Sequence, residues 1–208
     1  MITDQISKPE IGIVIGNGSS RRGYDLTRLD GLGLTVGCNY VYHDYTPDYV
    51  VAIDDYIVDD IKEHLRQNPA PDWKFMCRTY LDGRFWWLCA DGDNGQVRVC
   101  RFATINHRLN QDTGLLGAYF LANTMQIETV YLIGIDFYQQ VPDEINDIYH
   151  ENLPEKPGIE RAWNVLVNDH PKTRFVRVGK IHDEHREYFS RLKGIEFLES
   201  FDDMECKQ

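Results

Sequence analysis

The chain has 208 residues, with 22 Lys and Arg against 33 Asp and Glu, a formal net charge of −11. That length suits one domain with a sizeable core. The charge excludes a general nucleic-acid binder and an anionic membrane surface as partner, since both demand a basic face.

Hydrophobic residues at 42% and aromatics at 12% mark a folded globular chain and not a disordered one. The five cysteines (Cys38, Cys77, Cys89, Cys100 and Cys206) are odd in number and contain no CxxC pair. Neither a disulfide framework nor a zinc finger is indicated, and free thiols in apolar stretches act as small hydrophobes. The opening MITDQISKPE has no apolar core, unlike a secretory signal. No apolar run reaches the ~18 residues of a membrane span. The expectation is a reducing, cytoplasmic setting.

Taken in order, the chain alternates strands and helices. Ile11–Gly16, Leu34–Cys38 and Tyr49–Ile53 are continuous apolar runs rich in β-branched residues, as expected of strands buried on both faces of a parallel sheet. Asp54–Gln67 places Ile57, Ile61 and Leu65 at fourfold spacing with acids early, which predicts an amphipathic helix. Trp73–Cys77 reads as a fourth strand. Arg84–Phe102 reads as two strands around the turn DGDNG, a hairpin signal. Next come an apolar helix over Thr113–Met125, a central strand over Val130–Ile135 and an amphipathic helix over Ile159–Asn168. Arg174–Val178 is a strand, Asp183–Leu192 a polar helix and Ile195–Leu198 a last strand. Between them, 139–158 is polar, proline-bearing and without period, the pattern of a long loop or lid. The predicted architecture is α/β: a single domain over 1–208 with a doubly wound, mostly parallel Rossmann-like sheet, an inserted β-hairpin at 84–102 and a short lid loop at 139–158.

In such sheets, ligands bind beyond the carboxyl ends of the strands. The first strand is followed by Gly16, Asn17, Gly18, Ser19 and Ser20. Glycines there allow tight turns and close backbone approach, and exposed amides can hold phosphate. The run is not a GxGxxG fingerprint, because Arg21 stands where the third glycine would fall, and no GK[ST] of a P-loop occurs. Asn39 follows the second strand, Asp54 and Asp55 the third, and Asp136 the central one. Polar groups that read hydroxyls and bases thus gather at strand ends. Seven histidines contain no HExxH. His182 and His185 share one helix face, read as solvated polar surface. DGDNG lacks the spacing and the closing Glu of a calcium loop. Trp86 and Trp87 read as one buried and one half-exposed strand ring. No metal site is indicated.

Three stretches in order resemble a known family. Ile13–Ser20 (IVIGNGSS) with Tyr24–Leu29 (YDLTRL), Val36–Tyr42 (VGCNYVY), and Thr113-Gly114 with Ile127–Gln139 (IETVYLIGIDFYQ) resemble the "GNGPSL…IDYSRL", "FRCNQFYF" and "TSG…YKEIYLSGIDFYQ" segments of bacterial sialyltransferases of glycosyltransferase family 42. The same skeleton is shared by motility-associated factors and archaeal pterin diphosphokinases. The resemblance spans residues 11 to about 140. It implies that Asn17, Asn39, Thr113 and Gly114 line the site for a CMP-activated sugar. It implies that Tyr138 and Tyr149 hold the donor phosphate as it leaves, and that His150 deprotonates the acceptor hydroxyl. No cofactor or metal is implied. Partners would be a nucleotide-sugar and a glycan or other hydroxyl acceptor. The chain departs from the pattern at Ser19, where the family has proline, at Asp112-Thr113-Gly114, which lacks the family's serine, and in its shorter lid. Two other readings stay open: an Mg²⁺-dependent diphosphokinase using Asp54, Asp55 and Asp136, and a non-catalytic nucleotide-binding module. Monomer and homo-oligomer also both stay open.

Overall fold

A computed structural model describes residues 10–67, 74–81, 84–90, 97–100, 112–137, 149, 158–181 and 183–205, with the strands between 74 and 100 described by their backbone. The strands are β1 (Ile11–Ile15), β2 (Leu34–Cys38), β3 (Tyr49–Ala52), β4 (Lys74–Leu81), β5 (Arg84–Ala90), β6 (Val97–Cys100), β7 (Thr129–Ile133), β8 (Arg174–Val178) and β9 (Ile195–Leu198). They form one sheet in the order β6-β5-β4-β3-β2-β1-β7-β8-β9. From β4 across to β9 every pairing is parallel, whereas β4–β5 and β5–β6 are antiparallel. The run β3-β2-β1-β7-β8-β9 has the order of a Rossmann-like sheet. The predicted hairpin is present as β5–β6, and it continues the main sheet through β4 rather than leaving it. Its DGDNG turn lies outside the described residues, as does most of the lid loop.

Side-chain alternation explains the two covered faces. Val14, Val36, Val51, Val130, Leu132 and Phe175 point to one face. There they meet α2 (Thr113–Tyr119, extended by a π turn over Phe120–Thr124), α3 (Ile159–Asp169) and α4 (Arg186–Phe189). In α3 the buried residues Ile159, Ala162, Trp163 and Leu166 recur at one-face helical spacing, and Trp163 is fully buried. Ile13, Ile15, Tyr131, Ile133, Val176 and Val178 point the other way, against Leu26, Leu29, Val41 and the short helix α5 (Phe201–Glu205). Val50 and Ala52 share that direction and receive α1 (Asp55–Gln67) through Ile57, Val58 and Ile61. The sheet is therefore wound on both faces. The polar helix expected over 183–192 is shorter: a 3-10 turn at Asp183–His185 leads into α4.

The direction of winding changes once. The chain steps from β1 outward to β2, β3 and β4, then returns through α2 to place β7 on the other side of β1. Between β1 and β7 lies the topological switch point, where the loops after these strands diverge and a crevice forms in this class of sheet. No described helix is long and apolar enough to cross a membrane.

Candidate functional site

The loop after β1 and the loop after β7 meet at the switch point. The backbone N–H of Gly16 donates to the Ile133 carbonyl at 2.7 Å, and that of Gly18 to the Gly134 carbonyl at 2.8 Å. A Cβ on Gly16 would lie 2.3 Å from the Gly134 oxygen, and one on Gly18 would lie 2.4 Å from Asp136 Oδ2. Only glycine permits that approach. The nearest neighbours of both glycines are thus the GID segment of the chain itself. Asp136 Oδ2 accepts from the Ser20 N–H at 2.9 Å, and Asp136 Oδ1 lies 2.8 Å from the Arg177 guanidinium. Both carboxylate oxygens are engaged.

Asn17 sits between the two glycines and is buried, and its Oδ1 has no hydrogen-bond partner among the described residues. Asn39 opens the 3-10 turn after β2 in a left-handed conformation, φ 54°, which Asn tolerates better than most residues. Its Oδ1 is likewise buried without a partner among the described residues, as is Ser20 Oγ. Buried polar atoms are nearly always satisfied, so three orphaned oxygens in the segments that leave β1 and β2 are a signature that the sheet's core does not explain.

The first turn of α2 packs beside these strand ends. Asp112 caps it, its Oδ1 accepting from the Leu115 N–H at 2.7 Å. Thr113 and Gly114 are buried there. A Cβ on Gly114 would meet Ile135 Cδ1 at 2.5 Å, so the glycine lets the helix start press against the segment after β7. Thr113 hydrogen-bonds the Cys38 thiol. Burial, aided by the Asp112 carboxylate, pushes that thiol far above its ordinary range, and Cys38 is a neutral, free thiol in the core.

Arg21 lies under the glycine loop, and only 4% of it is exposed. Its Nε donates to the Gly16 carbonyl at 2.7 Å, and its Nη2 lies 2.8 Å from the Tyr149 hydroxyl and 3.1 Å from Asp44 Oδ2. The Tyr149 hydroxyl donates to the same carboxylate oxygen. Burial and the bond to Asp44 push the Tyr149 hydroxyl well above the usual phenol range, with Arg21 opposing, so it stays protonated and able to donate. The Tyr149 ring also stands 6.0 Å from the Tyr40 ring, edge-on. A residue from the lid stretch is thus held between the segment after β1 and the one after β2.

Of the residues expected from sequence, Gly16, Asn17, Gly18, Ser19, Thr113, Gly114 and Asp136 line the ends of β1 and β7 or the start of α2. Asn39 stands at the end of the adjacent β2, and Tyr149 reaches between. Asp54 lies exposed past β3, two strands from β1. Tyr138 and His150 lie outside the described residues. The sequence reading passed over Arg21, Asp44 and Arg177. Arg21 had a signal, a cation directly after GNGSS, but its partner Asp44 is 23 residues on and no local pattern joins them. Among the described residues, no group of three His, Cys, Asp or Glu is placed to hold a metal. Compared with known proteins, the chain matches no family model, no curated protein and no solved structure.

Proposed function

We propose that this chain is a Rossmann-like glycosyltransferase that moves a sugar from a nucleotide-activated, CMP-linked donor to an acceptor hydroxyl, with His150 as general base and no metal. The observation that carries the reading is the pair of buried oxygens on Asn17 and Asn39, one at each of two adjacent strand ends, with no hydrogen-bond partner among the described residues. A donor rich in amino and hydroxyl groups would satisfy them, and leaving such groups unpaired costs about 1–3 kcal/mol each. Tyr149, brought from the lid stretch between these ends with its hydroxyl protonated, is the second support.

In this reading the nucleotide lies along the segments after β1 and β2. The His150 imidazole, whose ordinary pKa is about 6.5, takes the proton of the acceptor hydroxyl. The acceptor oxygen then bonds to the anomeric carbon as that carbon's bond to the donor phosphate oxygen breaks. The electron pair leaves with CMP. The hydroxyls of Tyr138 and Tyr149 donate to the departing phosphate, a stabilisation of developing charge that needs no cation. The alternative, an Mg²⁺-dependent diphosphokinase, draws on Asp54, Asp55 and Asp136; it has less support, because the Asp136 oxygens accept from Ser20 and Arg177 and Asp54 lies exposed past β3.

The test is release of CMP from CMP-activated sugars in the presence of hydroxyl acceptors. Turnover that His150→Ala abolishes while CMP binding persists supports the reading. Turnover unchanged in that variant, or no CMP binding at all, overturns it.

A further inference from the structure

Two hydrogen-bond donors converge on one oxygen beside the glycine loop. Arg21 Nη2 and the Tyr149 hydroxyl both point at Asp44 Oδ2. The two donors are well built in: Arg21 is anchored by its Nε to the Gly16 carbonyl and almost wholly buried, and Tyr149 is half-buried with the guanidinium 5.6 Å from its ring centre. The acceptor is not. The Asp44 side chain is 39% exposed, and its backbone N–H donates to the Val41 carbonyl at 3.0 Å. Its exposed side gives the carboxylate a path into water once another anion pairs with Arg21.

We propose that Arg21 and Tyr149 form an anion site for the donor's phosphate, and that the Asp44 carboxylate occupies this site as an internal stand-in which the phosphate displaces. A buried guanidinium requires a counter-charge, and Asp44 supplies one while no ligand is bound. A phosphate group carries more charge than a carboxylate and has three terminal oxygens for charge-assisted bonds. The exchange keeps the buried guanidinium paired and replaces a carboxylate with an anion of more charge and more acceptor oxygens. Tyr149 serves both states, turning its donated proton from the carboxylate to the phosphate. The Arg21 stem passes the switch point, where a Cβ on Gly134 would come 2.9 Å from its Cδ, and its guanidinium reaches Asp44 in the segment after β2. The identity of the anion rests on the transferase reading, whereas the site itself does not. It also answers how a chain of charge −11 could hold a phosphate.

Calorimetric titration of the full chain with inorganic phosphate, and separately with CMP, tests this. Removing the stand-in should tighten phosphate binding, so Asp44→Asn is expected to bind phosphate about tenfold more tightly than the unaltered chain. Adding Tyr149→Phe should remove much of the gain. Phosphate binding by Asp44→Asn that is equal or weaker overturns the proposal. Asp44→Ala serves as a second variant, and loss of cooperative unfolding in both would show Asp44 to be a structural counter-ion, which overturns it as well. The CMP arm separates the two claims. CMP that gains with phosphate and binds more tightly supports a nucleotide donor. Phosphate that gains while CMP binds no more tightly keeps the anion site and removes the transferase reading.

Discussion

Arg177 reaches from β8 to set its guanidinium 2.8 Å from the Asp136 carboxylate just past the end of β7, with the two side chains only 3% and 12% exposed. The same guanidinium donates to the Gly179 carbonyl at 2.6 Å and lies 4.9 Å from the Phe189 ring centre. The loops after β7 and β8 are thereby tied together, and through Ser20 the loop after β1 joins them.

Breaking that tie on one side leaves Arg177 buried without its partner. Asp136→Ala is expected to cost about 3–5 kcal/mol in urea unfolding. Arg177→Met added to it should recover part of that loss, because the stranded charge is gone. A double variant as unstable as the sum of the single ones would contradict the coupling.

Gly18 touches Asp136 so closely that a methyl has nowhere to go. Gly18→Ala must push the loop after β1 away from the one after β7. The expected loss is about 1–3 kcal/mol, typical of overpacking, and nucleotide binding should fall with it. A stability within error of the unaltered chain would show that the loop moves freely and that the glycine serves something other than this contact.

His170 ends α3 beside the Tyr119 ring, 5.7 Å away. Burial holds its pKa below the ordinary 6.5, with Asp169 opposing. The unfolded chain then binds the proton more readily than the folded one. The stability it contributes is complete above its unfolded pKa and is lost as the pH falls from there toward its lower folded value. Compared with His170→Gln, the unaltered chain should lose more melting temperature between about pH 7 and pH 5. Parallel curves for the two proteins would remove His170 as the cause.

The fold was legible because its signals are local. Continuous runs such as IGIVI and TVYLI announced buried parallel strands, and the spacing of Ile159, Ala162, Trp163 and Leu166 announced α3. The five-residue α5 was not legible. It is too short for a period, and it is held by Phe201 packing 4.3 Å from Tyr24, far away in the chain. The site divides the same way. Asn17, Asn39 and Asp136 stood out because each follows a strand. Arg21 with Asp44, and Asp136 with Arg177, are pairs made only when the sheet brings distant loops together, so no local pattern marks the two buried arginines. The GNG pattern predicts room for a ligand, whereas the neighbours of its glycines are Gly134 and Asp136. The two functions of a glycine leave the same mark in a sequence.

Asn17 Oδ1 and Asn39 Oδ1 have no hydrogen-bond partner among the described residues, and the proposed donor would supply one. Calorimetric titration of CMP into the chain, Asn17→Ala and Asn39→Gly is the most direct test. Neither variant removes an observed hydrogen bond of these oxygens, and glycine suits the left-handed backbone at 39, so both should unfold within about 1 kcal/mol of the unaltered chain. The unaltered chain is expected to bind CMP, and each variant to weaken that binding by about tenfold or more. No binding of CMP, or binding that both variants leave unchanged, would contradict it.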